Sequence, residues 1–301
     1  MKNKLFYLAG LMVLLFAQNS AMAENTYKIG VLAKNGPVKA LQMWKATGDY
    51  LSQKIEGMNF EVVPLGFDEV NPAIENKKVD FFLVNSSMFI TAKVKYGAKA
   101  VATMVNSRQG KPLQSFGGVI IASAYNDAVN GIEDLKGKSF MAVKKSSFGG
   151  WQMAYKELVD AGINPNVDFS KLEFGEKHEN VVYAVMNEVV EAGTVRTDTL
   201  ERLAAEGAID MGDFKIINEK TRADFPFKCS TQLYPEWPLA SVAGTPETVA
   251  AAVVSALKAV KPEDDAAKSA KVVGWVDALD YAPVEALQKT LGVGAFALAA
   301  K

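Results

Sequence analysis

Residues 27–54 read YKIGVLAKNGPVKALQMWKATGDYLSQK. Tyr27 to Ala33 is an apolar run of strand length, Asn35-Gly36-Pro37 a turn, and Val38 to Lys54 a helix. Leu41, Trp44, Leu51 and, just beyond, Ile55 fall at helical spacing on one face, and Pro37 has its φ pre-set for a first helical turn. A strand that turns tightly into an amphipathic helix begins a β-α-β unit, and the same order repeats outward. Phe60 to Leu65 reads as a strand, Asp68 to Asn76 as a helix and Asp80 to Val84 as a strand. Asn85-Ser86-Ser87 then supplies capping residues for a helix from Met88 to Lys95. This alternation predicts a parallel, doubly wound sheet.

The pattern restarts after Gly117 to Ser123, a Val- and Ile-rich stretch predicted to be an extended crossover. Strands over 139–143, 172–174, 189–195 and 214–217 alternate with helices over 131–135, 147–161, 178–187 and 197–206. A second extended run, Phe227 to Leu233, leads back to helices from Thr248 to Val260 and Pro283 to Leu291. The prediction is an α/β protein of two lobes, each a doubly wound, mainly parallel sheet, joined by a two-strand hinge with a cleft between them. The first lobe would be discontinuous, residues 24–122 plus 232–301, and the second inserted, residues 123–231.

At the amino end, Lys2 and Lys4 precede an apolar stretch from Leu5 to Phe16, and Ala21-Met22-Ala23 offers a small-x-small site. That is the pattern of a secretory signal peptide over residues 1–23, cleaved after Ala23. Its apolar core is shorter than the roughly 20 residues a permanent span needs. Glu24, not a cysteine, follows the cleavage point, so the expectation is a periplasmic protein free of a lipid anchor, acting as a monomer. With 49% hydrophobic and 22% charged residues, 301 residues bury a large core and suit about two domains. A net charge of -1 gives no broad basic surface, which argues against nucleic acid and anionic lipid as partners. The single cysteine, Cys229, excludes an internal disulfide framework and multi-cysteine metal sites, and reads as a small buried hydrophobe. With one cysteine, one histidine and no recognisable Ser-His-Asp or Gly-rich nucleotide motif, neither catalysis nor a metal or cofactor is expected.

Open α/β sheets collect ligands at the carboxyl ends of their strands, where helix N-termini direct unpaired N–H groups and partial positive charge outward. The strongest such junction is Lys144-Lys145-Ser146-Ser147-Phe148-Gly149-Gly150-Trp151. It reads either as an oxyanion cradle of hydroxyls and approachable backbone, or as an ordinary N-cap with a packing glycine pair. His178 opens another helix and is either an anion donor or a solvated helix-start residue. In Arg196-Thr197-Asp198, Arg196 offers a planar fork for an anion and Asp198 a cap, or the two form a structural ion pair. On the first lobe, Asn85, Ser86 and Ser87 offer amide and hydroxyl donors, and Asn35 a turn. Arg108 lies in a polar loop that reaches either the cleft or solvent, with solvent expected, and Trp44 and Trp151 face either ligand or core, with core packing expected.

Five stretches together resemble the phosphonate and phosphite binding proteins of ABC importers, over nearly the whole chain after residue 23. They are Val31 to Pro37, Asp80-Phe81-Phe82-Leu83-Val84-Asn85, Ser146 to Gly150, His178, and Ala192-Gly193-Thr194-Val195-Arg196-Thr197-Asp198. Ala192 to Asp198 and Ser230-Thr231-Gln232-Leu233-Tyr234-Pro235-Glu236-Trp237-Pro238 are also similar to the periplasmic sensor domains of tetrathionate-type histidine kinases. The resemblance implies a type II periplasmic binding protein fold that closes on a small oxyanion of the phosphonate, phosphite or phosphate class and delivers it to an ABC permease. It implies that Ser146, Ser147 and His178 hold the phosphonate group, and matches Asp198 to an acidic residue that holds an aminoalkyl tail. Glu191 stands where the pattern often has Asp, a departure from amino-bearing ligands. The sensor likeness implies an alternative: a sulfur oxyanion such as tetrathionate or thiosulfate, reported to a histidine kinase. Those sensor domains continue into a transmembrane helix and a kinase, so the expectation here is a module that passes ligand or signal to another protein. An enzyme on the same fold is a third reading.

Overall fold

The computed structural model describes residues 25–297. The signal peptide and its cleavage after Ala23 fall outside the described residues. In chain order, the first lobe contributes β1 (Asn25–Leu32), β2 (Met58–Leu65), β3 (Phe81–Leu83), β4 (Lys99–Arg108) and β5 (Lys111–Leu113). A two-residue strand, β6 (Ser115–Phe116), leads into the second lobe, which holds β7 (Gly118–Ser123), β8 (Ser139–Ala142), β9 (Lys171–Phe174), β10 (Ala192–Arg196) and β11 (Phe214–Ile217). The chain returns through β12 (Tyr234–Pro235) to β13 (Pro238–Ser241) and β14 (Val272–Asp277).

Two sheets result, one per lobe, and between them β6 pairs antiparallel with β12 as a two-stranded hinge. The first sheet runs β14-β4-β13-β3-β1-β2 with β5 on the side of β4, and the second β11-β7-β10-β8-β9. Each contains a parallel block, β2-β1-β3 and β9-β8-β10, built by the predicted β-α-β units. The rest of each sheet is antiparallel, so the sheets are mixed where mainly parallel ones were predicted. Strands entering directly from the hinge or from long excursions lack the crossover helix that enforces parallel pairing.

The helix Pro37–Lys54 buries Ala40, Trp44, Thr47, Gly48 and Leu51 against the first sheet. Gly48 permits the approach, since a Cβ there would lie 2.9 Å from the carbonyl oxygen of Phe60. Leu41, placed on the buried face by spacing, is 39% exposed at the edge of that stripe.

Both crossings lie nearer the hinge than expected. Gly118–Ser123 is no crossover: every residue of β7 is buried, and it is held between β10 and β11 in the second sheet. Its density of Val and Ile reflects a strand covered on both faces. The sheets therefore divide before Gly118, not after Ala122. Phe227 to Leu233 forms no strand; Ser230 and Thr231 instead clamp β7, accepting from the N–H groups of Ile120 and Gly118 at 2.9 Å each. Cys229 is buried beside them, its thiol donating to the Thr231 carbonyl at 3.2 Å. The hinge is packed by aromatics: Phe148 of the second lobe meets Phe116 and Tyr234 edge-on, with ring centroids 6.0 and 5.1 Å apart.

The register sets where a ligand can be met. Val31 pairs with Leu83, so the loops after β1 and β3 emerge side by side, and Gly193 pairs with Met141, which does the same for the loops after β8 and β10. Contacts between the two pairs of loops define the cleft.

Candidate functional site

Arg196 ends β10 buried, and each nitrogen of its guanidinium donates to a carboxylate. Nε donates to Oδ1 of Asp198 at 3.3 Å, Nη1 to Oε2 of Glu236 at 3.3 Å, and Nη2 to Oε1 of Glu236. Its flat face lies 4.1 Å from the ring centre of Phe116. Glu236, just past the hinge and 0% exposed, also accepts from Nδ2 of Asn106 at 3.0 Å. Burial alone would neutralise this carboxyl, but Arg196, Arg108 and Asn106 hold it below the usual carboxylate range. Burial likewise opposes the Arg196 charge, and Glu236 and Asp198 outweigh it. Asp198 takes a left-handed backbone, φ 70°, and does not cap the following helix; its second oxygen meets Nη1 of Arg108 at 3.4 Å. Arg196 thus forms the structural ion pair, with two of its five N–H groups left over.

Arg108 is not in solvent. From the end of β4 it reaches the cleft, and its Nε is buried without a partner among the described residues. Lys34, in the turn after β1, places its ammonium 5.2 Å from the Trp237 ring centre. Burial, then repulsion from Arg108 and Arg196, lowers its pKa from 10.5 to about 7. His178 accepts the backbone N–H of Arg196 on Nδ1 at 3.1 Å. Burial and the neighbouring cations hold the imidazole neutral, well below its usual value, so the bond leaves Nε2 as the protonated, donating nitrogen.

Two small chambers open on this network. The first, of about 40 Å³, is bordered by Lys39, Trp44, Met104, Asn106 and Arg108. The second, of about 30 Å³, is bordered by Asn85, Ser147, Gly149, Lys177 and His178. Leu32, Lys34, Asn35, Arg196 and Trp237 border both. Each volume exceeds that of a single water but admits only a compact group in this conformation. Gly149 fits closely at its wall, where a Cβ would lie 3.0 Å from the Phe116 ring and 3.3 Å from the Arg196 Cβ.

The structure divides the sequence-predicted residues. Asn35, Asn85, Ser147, Gly149, His178 and Arg196 converge on the chambers. Ser147 caps its helix through Gly150 N–H at 3.3 Å, a helix that opens with a π turn over Phe148–Gln152. Phe148 borders the second chamber but is 1% exposed and chiefly packs the hinge. Four others serve the frame. Ser146 borders a separate outer groove and accepts from Nδ2 of Asn85 at 3.3 Å through its carbonyl. Ser86 donates to the Pro235 carbonyl at 2.6 Å, and Ser87 to Oε1 of Gln152 at 2.5 Å. Thr197 accepts from Gly117 N–H at 3.2 Å. Trp44 packs on Trp275 and Trp151 stacks on Tyr155, with centroids 6.3 and 5.0 Å apart.

Lys34, Asn106, Glu236 and Trp237 were not singled out as site residues. Lys34 follows a strand directly, at a position that the strand-end rule covers. Glu236 carried no such signal, because nothing in its neighbours marks a glutamate for complete burial. Among the described residues no cluster of three or more His, Cys, Asp or Glu side chains forms a metal-binding group, and no helix is long and apolar enough to cross a membrane.

Comparison with known proteins follows the same lines. Residues 29–283 match the family model of the phosphonate ABC transporter periplasmic substrate-binding protein. The tetrathionate sensor histidine kinase of Salmonella typhimurium is 29% identical over 232 residues, which are 77% of this chain. The match spans only 39% of that kinase's length. Among solved structures, PhnD1 from Prochlorococcus marinus in complex with methylphosphonate aligns over 89% of this chain and 99% of its own, with TM-score 0.68 and 13% identity. A binding protein component of an ABC phosphonate transporter from Pseudomonas aeruginosa aligns over 89% and 86%, with TM-score 0.68 and 16% identity. Both likenesses show the two-lobed fold of type II periplasmic binding proteins.

Proposed function

Because the chain belongs to the family of periplasmic phosphonate substrate-binding proteins of ABC transporters, we propose that it captures a small oxyanion by hinge closure and delivers it to a membrane permease. The family places it in the periplasm and is one of binding proteins, not of enzymes. In this reading residues 1–23 are the export signal, removed after Ala23, and the mature protein works as a monomer.

One observation carries the oxyanion reading. Three cations, Lys34, Arg108 and Arg196, meet in the cleft against two carboxylates, Asp198 and Glu236, both of which are already paired. Burial, and after it the repulsion of Arg108 and Arg196, lowers the pKa of Lys34 to about 7. An anion among these groups relieves that repulsion and finds the Ser147 hydroxyl, the Asn85 amide and the His178 Nε2–H as further donors. Native mass spectrometry of protein purified without refolding tests it. A retained phosphorus or sulfur oxyanion supports the reading, and a retained sugar or neutral amino acid contradicts it.

A second reading is favoured by the likeness to the tetrathionate sensor kinase, which spans 232 residues of this chain. Here a sulfur oxyanion such as tetrathionate or thiosulfate is bound by the same closure and reported to a histidine kinase. Ligand-dependent stimulation of an importer's ATPase in proteoliposomes supports delivery; ligand-dependent autophosphorylation of a membrane kinase supports sensing.

A further inference from the structure

The two chambers share part of their wall: Leu32 and Trp237 border both, with Lys34, Asn35 and Arg196 beside them. Beyond the shared wall, each chamber has positive charge of its own. Arg108 and Lys39 stand at the first, Lys177 at the second. No carboxylate borders the first chamber, and the one that borders the second, Glu176, is ion-paired with Lys144 at 2.5 Å. Asp198 and Glu236 sit behind the guanidiniums and are satisfied by them.

From this arrangement we infer that the ligand is a two-headed anion: one charged group beside His178 and Ser147, a second beside Arg108 and Asn106, and an uncharged middle against Leu32 and Trp237. The inference rests on the oxyanion reading and deepens it. A compact single-headed anion seated in the second chamber leaves the buried Nε of Arg108 without a partner, a costly state for a charged donor. A ligand with a cationic tail fares worse, because its ammonium would face Lys34, Lys39, Arg108 and Arg196 in the first chamber. Only negative charge at both ends matches both chambers at once.

Calorimetric titration with ligands that share one head group tests this. Methanesulfonate carries one sulfonate, and ethane-1,2-disulfonate and propane-1,3-disulfonate carry two on a short apolar spacer; methylphosphonate and sulfate complete the set. The expected result is that at least one disulfonate binds tenfold or more tightly than methanesulfonate. Arg108→Gln should shrink that advantage, lowering affinity for the disulfonate by a larger factor than affinity for methanesulfonate. If that variant does not fold, the wild-type comparison decides alone. Equal affinity for one and two heads would overturn the inference and leave the oxyanion reading standing. Binding of none of these anions, nor of any other oxyanion, would overturn both.

Discussion

Arg108 and Asp198 come from opposite lobes, yet Nη1 of the first lies 3.4 Å from Oδ2 of the second. The cleft is therefore crossed by an ion pair close to the chambers, and Asn85 and Ser87 cross it again, to Ser146 and Gln152. Closure and binding draw on one set of polar groups.

Arg196 is central to that set, and its loss should be felt without any ligand. Arg196→Ala leaves the fully buried Glu236 unpaired, and breaking a buried pair in this way costs about 3 to 5 kcal/mol. Of the two readings that the sequence leaves open for Arg196, anion fork and structural ion pair, this expectation follows from the second. Urea unfolding of the ligand-free variant checks it, and an unchanged midpoint would contradict the network.

Affinity should depend on pH through Lys34. Its pKa is lowered from 10.5 to about 7, and a bound anion favours the charged form, so binding raises that value and takes up a proton. Below about pH 7 the lysine is charged beforehand and affinity is level; above it, affinity falls by up to about tenfold per pH unit. Titrations in buffers of different ionisation enthalpy read the proton uptake directly. Lys34→Met should abolish both the slope and the uptake, whereas a slope that persists in that variant would assign the titration to another group.

Ser147 and His178 separate capping from binding. Each is expected to donate to a charged ligand, so Ser147→Ala and His178→Ala should each weaken binding by about 1.5 to 3 kcal/mol. Ser147→Ala should also lose about 0.5 to 2 kcal/mol of stability, because its oxygen caps the helix through Gly150. Normal affinity in both variants, measured by calorimetry, would move the site elsewhere.

Ligand should compact the molecule by turning the lobes about β6 and β12, since a group held between both halves favours the closed state. Small-angle scattering reads this as a smaller radius of gyration at saturation. No change with a proven ligand would remove the hinge from the account.

The local β-α-β units were legible because strand, turn and helix signals lie within a few residues of one another, as in residues 27–54. What lay beyond reach was pairing at long range. Strand β13 enters straight from the hinge and inserts antiparallel between β3 and β4, a placement that no local signal announces, and β7 was read as a connection because its buried Val and Ile look the same in a crossover and in a central strand. The site divided in the same way. Ser147, His178 and Asn85, singled out at strand-to-helix junctions, do border the second chamber, whereas Ser86, Ser87 and Thr197 share the residue types but turn to the frame. Glu236 and Arg108 belong to the site only because the hinge brings the lobes together.

The most direct test of anion capture is a thermal-shift panel on the mature protein. A ligand that binds only the folded state adds about 2.7 kcal/mol at a hundredfold excess over its dissociation constant, enough to raise the melting temperature measurably. The account predicts a response to phosphorus or sulfur oxyanions and none to sugars, neutral amino acids or metal ions. A shift produced only by a neutral solute would contradict it.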